Sequence, residues 1–118
     1  MRRIWNVVTL LVAGCGMEQA DFATAYATKL CELELTCGDA AELTFNGILT
    51  VEDCLPSAQY QVSAWGQGCR YRPSDATVCL EEWEAAVCPA AVGDLPDRPL
   101  SCAAVFYDCG APAEVEAE

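Results

Sequence analysis

The apolar positions of the chain form one unbroken run near the N-terminus and then several stretches with helical spacing. In residues 17–37, apolar or small side chains recur every three or four positions, which predicts a first amphipathic helix. Its expected inner face consists of Phe22, Ala23, Tyr26, Ala27, Leu30 and Leu33. Glu18 and Asp21 favour the start of this helix, and Gly38 is expected to end it in a left-handed cap.

A second helix is predicted to begin at a capping box formed by Thr50 and Asp53 and to extend to about Trp65. Pro56 lies beyond its first turn, where it removes an amide donor and clashes with the preceding turn. We therefore expect the helix to kink or restart at Pro56. The preceding segment, "GDAAELTFNGILT", is expected to be irregular or a small hairpin, with a turn at Asn46 and Gly47.

Two more helices complete the expected set. The third extends from about Ser74, its expected cap, to Val87, and the short fourth covers Leu100 to Cys109 and ends at Gly110. The expected inner face of the third helix consists of Val78, Cys79, Leu80, Trp83, Ala86 and Val87. The segments "GQGCRYRP" and "PAAVGDLPDRP" are expected to be connections, the latter a proline-rich loop.

These elements predict an all-α fold, a small disulfide-stapled bundle of about four helices with irregular loops. A chain of 118 residues has room for one domain, which we place at residues 18–110. Residues 111–118 are acidic and small, and are expected to be a disordered tail.

The first fifteen residues, "MRRIWNVVTLLVAGC", have the zones of an export signal: Arg2 and Arg3, an apolar run over residues 4–13, and small residues before a cysteine. At about 1.5 Å per residue, this run covers about half of a hydrocarbon core of about 30 Å and cannot span it. The ending "LVAGC" resembles the lipobox of bacterial lipoproteins at every position. The resemblance implies cleavage between Gly14 and Cys15 and a diacylglyceryl group on the Cys15 sulfur, often with acylation of the new amino group.

On this interpretation residues 1–14 are the signal peptide and residues 15–17 are the lipidated N-terminus and a short tether. Two or three acyl chains give stable anchoring where one chain is marginal. Gly16, rather than Asp, follows the anchor, which in the sorting code of enteric-type bacteria directs a lipoprotein to the outer membrane. The alternative is an ordinary secreted chain in which Cys15 is buried or unpaired. Without Cys15, an even number of cysteines, eight, remains for pairing, which argues against this alternative.

These eight cysteines follow one another as C-x5-C-x16-C-x14-C-x9-C-x8-C-x13-C-x6-C. Structural zinc sites find no support because no C-x2-C occurs and histidine is absent, so disulfides in an oxidising compartment are the expected state. The residues concerned are Cys31, Cys37, Cys54, Cys69, Cys79, Cys88, Cys102 and Cys109.

Helix geometry excludes some pairings of these cysteines. Cys31 and Cys37 would lie about 9 Å apart along a regular helix, beyond the reach of a bridge, and the same arithmetic excludes Cys79 with Cys88 and Cys102 with Cys109. Our hypothesis is that three bridges clamp successive connections and a fourth joins the first helix to the last. The hypothetical pairs are Cys37–Cys54, Cys69–Cys79, Cys88–Cys102 and Cys31–Cys109.

The lipobox together with "KLCELELTC", "EDCL", "GCRYRPSDATVCL", "WEAAVC" and "LSCAAVFYDC" resembles the small cysteine-rich lipoproteins of unknown function found in myxobacteria and related deltaproteobacteria. The most specific part is Cys69-Arg70-Tyr71 followed by Ala76 and Cys79-Leu80. The resemblance covers nearly all of the mature chain. It implies a fold and a location, but no activity and no catalytic residues.

Charge and missing residue types narrow the function. Without Arg2 and Arg3 the balance is 4 basic minus 18 acidic residues, or −14, which disfavours nucleic acid and electrostatic docking on a membrane. Histidine is absent, so the usual nucleophilic triads cannot be built. The cluster of Glu81, Glu82 and Glu84 is interpreted as a solvated helix face rather than an acid/base pair. No enzyme activity, metal or cofactor is expected.

The aromatic residues leave two interpretations. Core packing is favoured for Trp83 and Phe106, whereas Tyr71 and Tyr107 are open between the core and a partner-binding patch. The leading hypothesis is a non-enzymatic envelope lipoprotein, held by the lipid on Cys15, with a structural or protein-interaction role and an unknown protein partner. The alternatives are a ligand- or substrate-binding module or small carboxylate-based hydrolase at the cell surface, and a secreted effector or inhibitor.

Overall fold

The computed structural model describes residues 16–110 and confirms the all-α class. The helices are α1 (Gln19–Cys37), α2 (Ala40–Phe45), α3 (Val51–Gly66), α4 (Pro73–Glu84) and a final 3₁₀ helix (Leu100–Ala104). Two short strands, β1 (Arg70–Tyr71) and β2 (Phe106–Tyr107), form an antiparallel ribbon. The predicted signal peptide, Cys15 and the predicted disordered tail lie outside the described residues.

Helix α1 has the predicted inner face, with Phe22, Tyr26 and Leu33 buried. It ends at Cys37 as predicted, but Gly38 adopts an extended conformation (φ −75°, ψ 173°), so the left-handed cap is wrong. A Cβ atom on Gly38 would lie 2.5 Å from the carbonyl oxygen of Glu34. The close approach of the helix backbone, rather than a positive φ, therefore explains the glycine.

Helix α2 occupies part of the segment predicted to be irregular. Asp39 caps it, because the Asp39 Oδ1 atom accepts hydrogen bonds from the amides of Ala41 and Glu42 at 2.8 and 3.3 Å. The predicted turn follows at Asn46 and Gly47, where Gly47 has a φ of +77°. The hairpin alternative is therefore wrong.

Helix α3 begins with the predicted capping box: Thr50 Oγ1 accepts from the Asp53 amide at 3.2 Å, and Asp53 Oδ2 accepts from the Thr50 amide at 3.1 Å. The helix continues through Pro56, so the predicted restart does not occur. The missing amide of Pro56 leaves the Glu52 carbonyl without its helical donor. Glu52 is exposed, so water can occupy that position.

Helix α4 begins with Pro73 in its first turn, not with a Ser74 cap, and ends at Glu84, three residues before the predicted end. Its buried face is Ala76, Cys79 and Trp83. Of the predicted inner residues, Val78 and Val87 are exposed. Val78 lies about 100° around the helix from Cys79, away from the neighbouring elements.

The predicted fourth helix is wrong beyond residue 104. Residues 100–104 form a 3₁₀ helix, and the chain then enters strand β2. This strand pairs with β1, which lies in the segment predicted to be a plain connection. Arg70 faces Tyr107, and Tyr71 faces Phe106. Successive aromatic residues favour a strand once a partner strand is present, so a tertiary contact decides this segment.

The core lies where α1 packs against α3 and α4. Phe22 is fully buried, and its ring lies 5.9 Å from Trp65 and 6.1 Å from Phe106, measured between ring centroids. Because the start of α1 faces the end of α3, these two helices are antiparallel. Trp83 and Phe106 are both buried, as predicted, so their rings are core residues.

Candidate functional site

The first described residues are fixed to the surface of the domain. Gly16 has a φ of +93° and lies so close to Pro73 that a Cβ atom on it would be 2.8 Å from the Pro73 Cβ. The hydroxyl of Tyr71 donates a hydrogen bond of 2.6 Å to the Met17 carbonyl oxygen. The N-terminal attachment, as we call residues 16–17, is thus held by the end of β1 and the start of α4.

Tyr71 reaches the attachment from the inner face of the ribbon. Its ring lies 5.7 Å from the ring of buried Phe106, and the pKa of Tyr71 is raised by burial and, to a smaller degree, by the nearby Asp21 carboxylate. The Tyr71 hydroxyl therefore remains protonated and donates at neutral pH. Sequence analysis left the role of Tyr71 open, and the structure assigns it to half-buried packing.

The outer face of the ribbon carries two arginines over one aromatic ring. The guanidinium carbon of Arg72 lies 4.0 Å from the centroid of the Tyr107 ring, and that of Arg70 lies 5.5 Å from it. Each arginine also has a carboxylate neighbour, the exposed Asp108 for Arg70 at 3.8 Å and the half-buried Asp75 for Arg72 at 3.5 Å. Such solvent-accessible pairs contribute little to stability and can exchange partners.

All eight cysteines predicted to form disulfides do so. Each bond joins two different elements or loops, as the geometric exclusions required. The pairs are Cys31–Cys54, Cys37–Cys88, Cys69–Cys109 and Cys79–Cys102. The hypothetical connectivity is therefore wrong in every pair, although the three excluded pairs are indeed not formed.

The error comes from assuming that bridges clamp successive connections. Cys31 and Cys37 are six residues apart on α1, so they point about 240° apart around the helix and face different neighbours. Cys31 faces the first turn of α3, where it meets Cys54 rather than Cys109. Cys37, at the end of α1, meets Cys88 beyond α4 rather than Cys54.

The other two pairs follow from the ribbon and α4. Cys69 precedes β1 and Cys109 follows β2, so antiparallel pairing brings them together and the bond closes that end of the ribbon. Cys79 lies on the buried face of α4, which packs on the 3₁₀ helix that carries Cys102. Neither pair could be chosen from the sequence, because neither the ribbon nor the packing of α4 on the 3₁₀ helix was predicted.

An aromatic cavity of about 190 Å³ lies between α1, α3, α4 and the proline-rich loop. Its walls include the stacked rings of Tyr26 and Trp83, 4.6 Å apart, and the ring of Trp65. The guanidinium carbon of Arg98 lies 3.8 Å from the centroid of the Trp65 ring, and the Arg98 Nε donates a hydrogen bond to the Tyr26 hydroxyl at 3.2 Å. Burial raises the pKa of Tyr26, and the Arg98 guanidinium offsets part of that increase.

Sequence analysis did not single out this aromatic cavity. Arg98 stands alone in a proline-rich loop, and nothing local connects it to Trp65, 33 residues earlier in the chain. The Trp83 indole Nε1 donates to the carbonyl of Tyr26 at 3.2 Å, which fixes the stacked pair. The cavity can accept a small planar or anionic group beside the guanidinium.

The carboxylates considered for acid/base work are solvent-exposed and line none of the four cavities described below. Glu81, Glu82 and Glu84 are exposed on α4, and Glu82 accepts a hydrogen bond from the Ser101 hydroxyl at 2.8 Å. Among four cavities formed by residues 16–110, none is lined by Glu81, Glu82 or Tyr71. Burial raises the pKa of Glu34, which lines a different, shallow cavity.

Between Gly16 and Gly110, no group of three or more potential metal-ligating side chains is close enough to hold an ion. In the same part of the chain, no helix has both the length and the apolar character to cross a bilayer. No protein-family model matches the sequence, and no curated protein or solved structure is significantly similar to it.

Proposed function

We propose that this protein is a lipid-anchored lipoprotein of the cell envelope, a disulfide-stapled helical domain with a structural or protein-interaction role rather than an enzymatic one. The lipobox sequence before Cys15 provides the anchor, and by the sorting rule stated above it belongs to the outer membrane. The observation that carries the proposal is the N-terminal attachment. Gly16 and Met17 are held against Pro73 and Tyr71, so a lipid on the preceding residue, Cys15, would hold the domain close to the membrane.

The four disulfides fit the same proposal. They require an oxidising compartment, which an export signal supplies. They also stabilise a domain with a small core, at about 2 to 4 kcal/mol for each bond.

The test is the intact mass of the membrane-extracted protein, before and after reduction. The expected mass is that of residues 15–118 plus two or three acyl chains, and four disulfides make it eight hydrogens lighter before reduction. A Cys15→Ser variant should lose the acyl chains and leave the membrane fraction. A Cys69→Ala/Cys109→Ala variant is the matched control, since it should lose one disulfide but keep the anchor. Wild-type protein without acyl chains would contradict the proposal.

A second candidate function rests on the aromatic cavity. We propose that it binds a small carboxylate-bearing ligand, because Arg98 is held by Trp65 and Tyr26 with its terminal nitrogens available to an anion. Cleavage after Gly14 would remove Trp5 and leave two tryptophans in the protein, Trp65 and Trp83. Both of them line the cavity. Their fluorescence is therefore a direct report of binding.

The corresponding experiment is a titration with benzoate. Wild-type protein should show a saturable fluorescence change, and Arg98→Gln should abolish it. Lys29→Gln is the matched control, since Lys29 Nζ is bound to the Glu84 carbonyl at 3.0 Å and does not line the cavity. Equal, unsaturated changes in all three proteins would contradict binding at Arg98.

A further inference from the structure

The arginine of the aromatic cavity has no carboxylate partner among the described residues. The salt bridges formed by residues 16–110 involve Arg70 and Arg72, and none of them involves Arg98. The Arg98 side chain is solvent-exposed, and its hydrogen bond to Tyr26 uses Nε, which leaves the terminal nitrogens to an anion from solution. In a chain with 18 acidic residues, this guanidinium thus retains a charge that a ligand can neutralise.

The Tyr26 hydroxyl beside Arg98 carries a proton without an acceptor among the described residues. The Tyr26 side chain is nearly fully buried, with 4% exposed, and its hydroxyl oxygen accepts from Arg98 Nε at 3.2 Å. A phenol hydroxyl accepts and donates, so this one can still donate a hydrogen bond. Burial raises the pKa of Tyr26, so the proton is present at neutral pH.

The planar guanidinium places this donor beside a second one. In arginine, Nε–H and one terminal N–H point in the same direction, which lets the group bind two oxygen atoms in parallel. The Tyr26 hydroxyl occupies the position in front of Nε. An oxygen atom that accepts from the neighbouring terminal nitrogen therefore lies next to the Tyr26 hydroxyl and can accept its hydrogen as well. A single ligand oxygen thus receives two hydrogen bonds.

The walls of the cavity indicate what carries that oxygen. Besides the rings of Tyr26, Trp65 and Trp83, the lining includes Leu30, Val62 and Pro96. The one further polar lining residue is Gln61, which is exposed. A phosphate or sulfate would bring additional oxygens towards these apolar walls, at a cost in desolvation. A ring with a single carboxylate instead meets aromatic walls, and tilted or offset ring pairs add to the energy of apolar burial.

We propose that the aromatic cavity binds an aromatic monocarboxylate, one of whose carboxylate oxygens accepts hydrogen bonds from both Arg98 and the Tyr26 hydroxyl. This inference rests on the second candidate function, binding of a carboxylate at Arg98, and adds the body of the ligand and a second binding residue. Trp83 holds Tyr26 in place, because its Nε1 donates to the Tyr26 carbonyl at 3.2 Å and its ring stacks on the Tyr26 ring at 4.6 Å. The hydroxyl is therefore preorganised for the ligand.

The first test is a benzoate titration of full-length Tyr26→Phe, a variant that loses the hydroxyl but keeps the ring stacked on Trp83. The dissociation constant, from tryptophan fluorescence, should increase about 10- to 100-fold, as expected for loss of a hydrogen bond to a charged group. Tyr60→Phe is the matched control and should bind as wild-type protein does, since Tyr60 is exposed and does not line the cavity. Circular dichroism establishes that both variants retain the fold.

Benzamide separates direct contact from positioning of Arg98. Its carbonyl oxygen can accept from the Tyr26 hydroxyl, but it carries no charge for Arg98 to neutralise. Arg98→Gln should therefore still bind benzamide, and adding Tyr26→Phe should weaken that binding about 2- to 10-fold. If Tyr26 acted only by positioning Arg98, the second substitution would have no effect in the absence of Arg98.

Cyclohexanecarboxylate tests the class of ligand. It has the same charged group as benzoate and a larger apolar surface, but its ring is neither planar nor aromatic. Wild-type protein should bind benzoate about 2- to 10-fold more tightly. Equal or tighter binding of cyclohexanecarboxylate would show that the walls recognise apolar surface alone, and would overturn the aromatic class.

The outcomes distinguish this inference from the function on which it rests. Wild-type protein without a saturable response to benzoate overturns the second candidate function, and the inference with it. Benzoate binding that is lost in Arg98→Gln but unchanged in Tyr26→Phe leaves that function standing and overturns the role of Tyr26. Benzamide binding that is absent from Arg98→Gln, or that is insensitive to Tyr26→Phe there, overturns the direct contact as well.

Discussion

Removal of single disulfides distinguishes two sources of stability, loop closure and packing. Cys31–Cys54 spans 23 residues, and both cysteines are buried. Cys69–Cys109 spans 40 residues, with Cys69 half-buried and Cys109 exposed. The two bonds can be removed separately as the variants Cys31→Ala/Cys54→Ala and Cys69→Ala/Cys109→Ala, neither of which leaves an unpaired thiol.

The expected losses follow from the sequence separations and the burial. The chain-entropy relation gives about 3.4 kcal/mol for a separation of 23 and about 3.9 kcal/mol for a separation of 40. Deleting a fully buried sulfur adds about 1 kcal/mol, by comparison with a deleted core methyl group. The totals are about 5.4 kcal/mol for Cys31–Cys54 and about 3.9 kcal/mol for Cys69–Cys109. The bond with the shorter loop should therefore contribute more.

The assay is urea unfolding of a secreted form that starts at residue 16, followed by tryptophan fluorescence, with all remaining disulfides verified by peptide mapping. The free energy of unfolding should decrease more for the Cys31/Cys54 variant, by about 1.5 kcal/mol. A larger loss for the Cys69/Cys109 variant would refute the reasoning, because loop entropy or the ribbon would then outweigh core packing.

Three further predictions concern α3. Thr50→Ala removes one half of the capping box and should lower the free energy of unfolding by about 1 kcal/mol in the same assay. The pKa of Asp53 is lowered by hydrogen bonds, first from the Leu49 amide and then from Thr50. Asp53 therefore contributes stability at pH values above its pKa in the unfolded chain, and this contribution is lost as pH falls through its lower pKa in the folded protein. Unfolding measured from neutral to acidic pH should show this loss in wild-type protein and not in Asp53→Asn. Gly66→Ala places a Cβ atom 2.6 Å from the Phe106 ring, and the overpacking, about 1 to 3 kcal/mol, should exceed the gain of about 1 kcal/mol in helix propensity and lower the thermal midpoint.

Each of the α3 predictions has a contrary result. Thr36→Ala is the control for the cap, since Thr36 is an exposed helical threonine, and an equal loss in both variants would contradict the capping argument. The same acid dependence in Asp53→Asn would assign it to another carboxylate. A higher midpoint for Gly66→Ala would show that the Phe106 ring moves aside.

The parts of the fold that depend on local chemistry were predictable. The inner face of α1, the capping box of α3 and the turn at Gly47 each follow from residues within a few positions of one another. The prediction of a left-handed cap at Gly38 was wrong, because glycine also occurs where the backbone approaches another group closely without a positive φ. At Gly38 that group is the Glu34 carbonyl oxygen. Local signals thus located most helices but not every detail of their ends.

The parts that depend on distant contacts were not predictable. Strands of two residues, at 70–71 and 106–107, have no periodicity to detect, and each exists because the other is beside it. The disulfide pairing depends on the same packing. The set of bonded cysteines was predictable from parity, whereas the contact of Met17 with Tyr71 joins residues 54 positions apart and has no sequence signal.

The disulfide pairing has a consequence for biosynthesis. None of the four bonds joins cysteines that are neighbours in the order of the sequence. In the proposed exported protein, an oxidase acting on the eight paired cysteines as they emerge would first meet Cys31 and Cys37, and Cys69 would have no native partner until Cys109 arrives. The native set therefore requires either folding before oxidation or a disulfide isomerase afterwards, and a host without isomerase activity should accumulate mispaired chains.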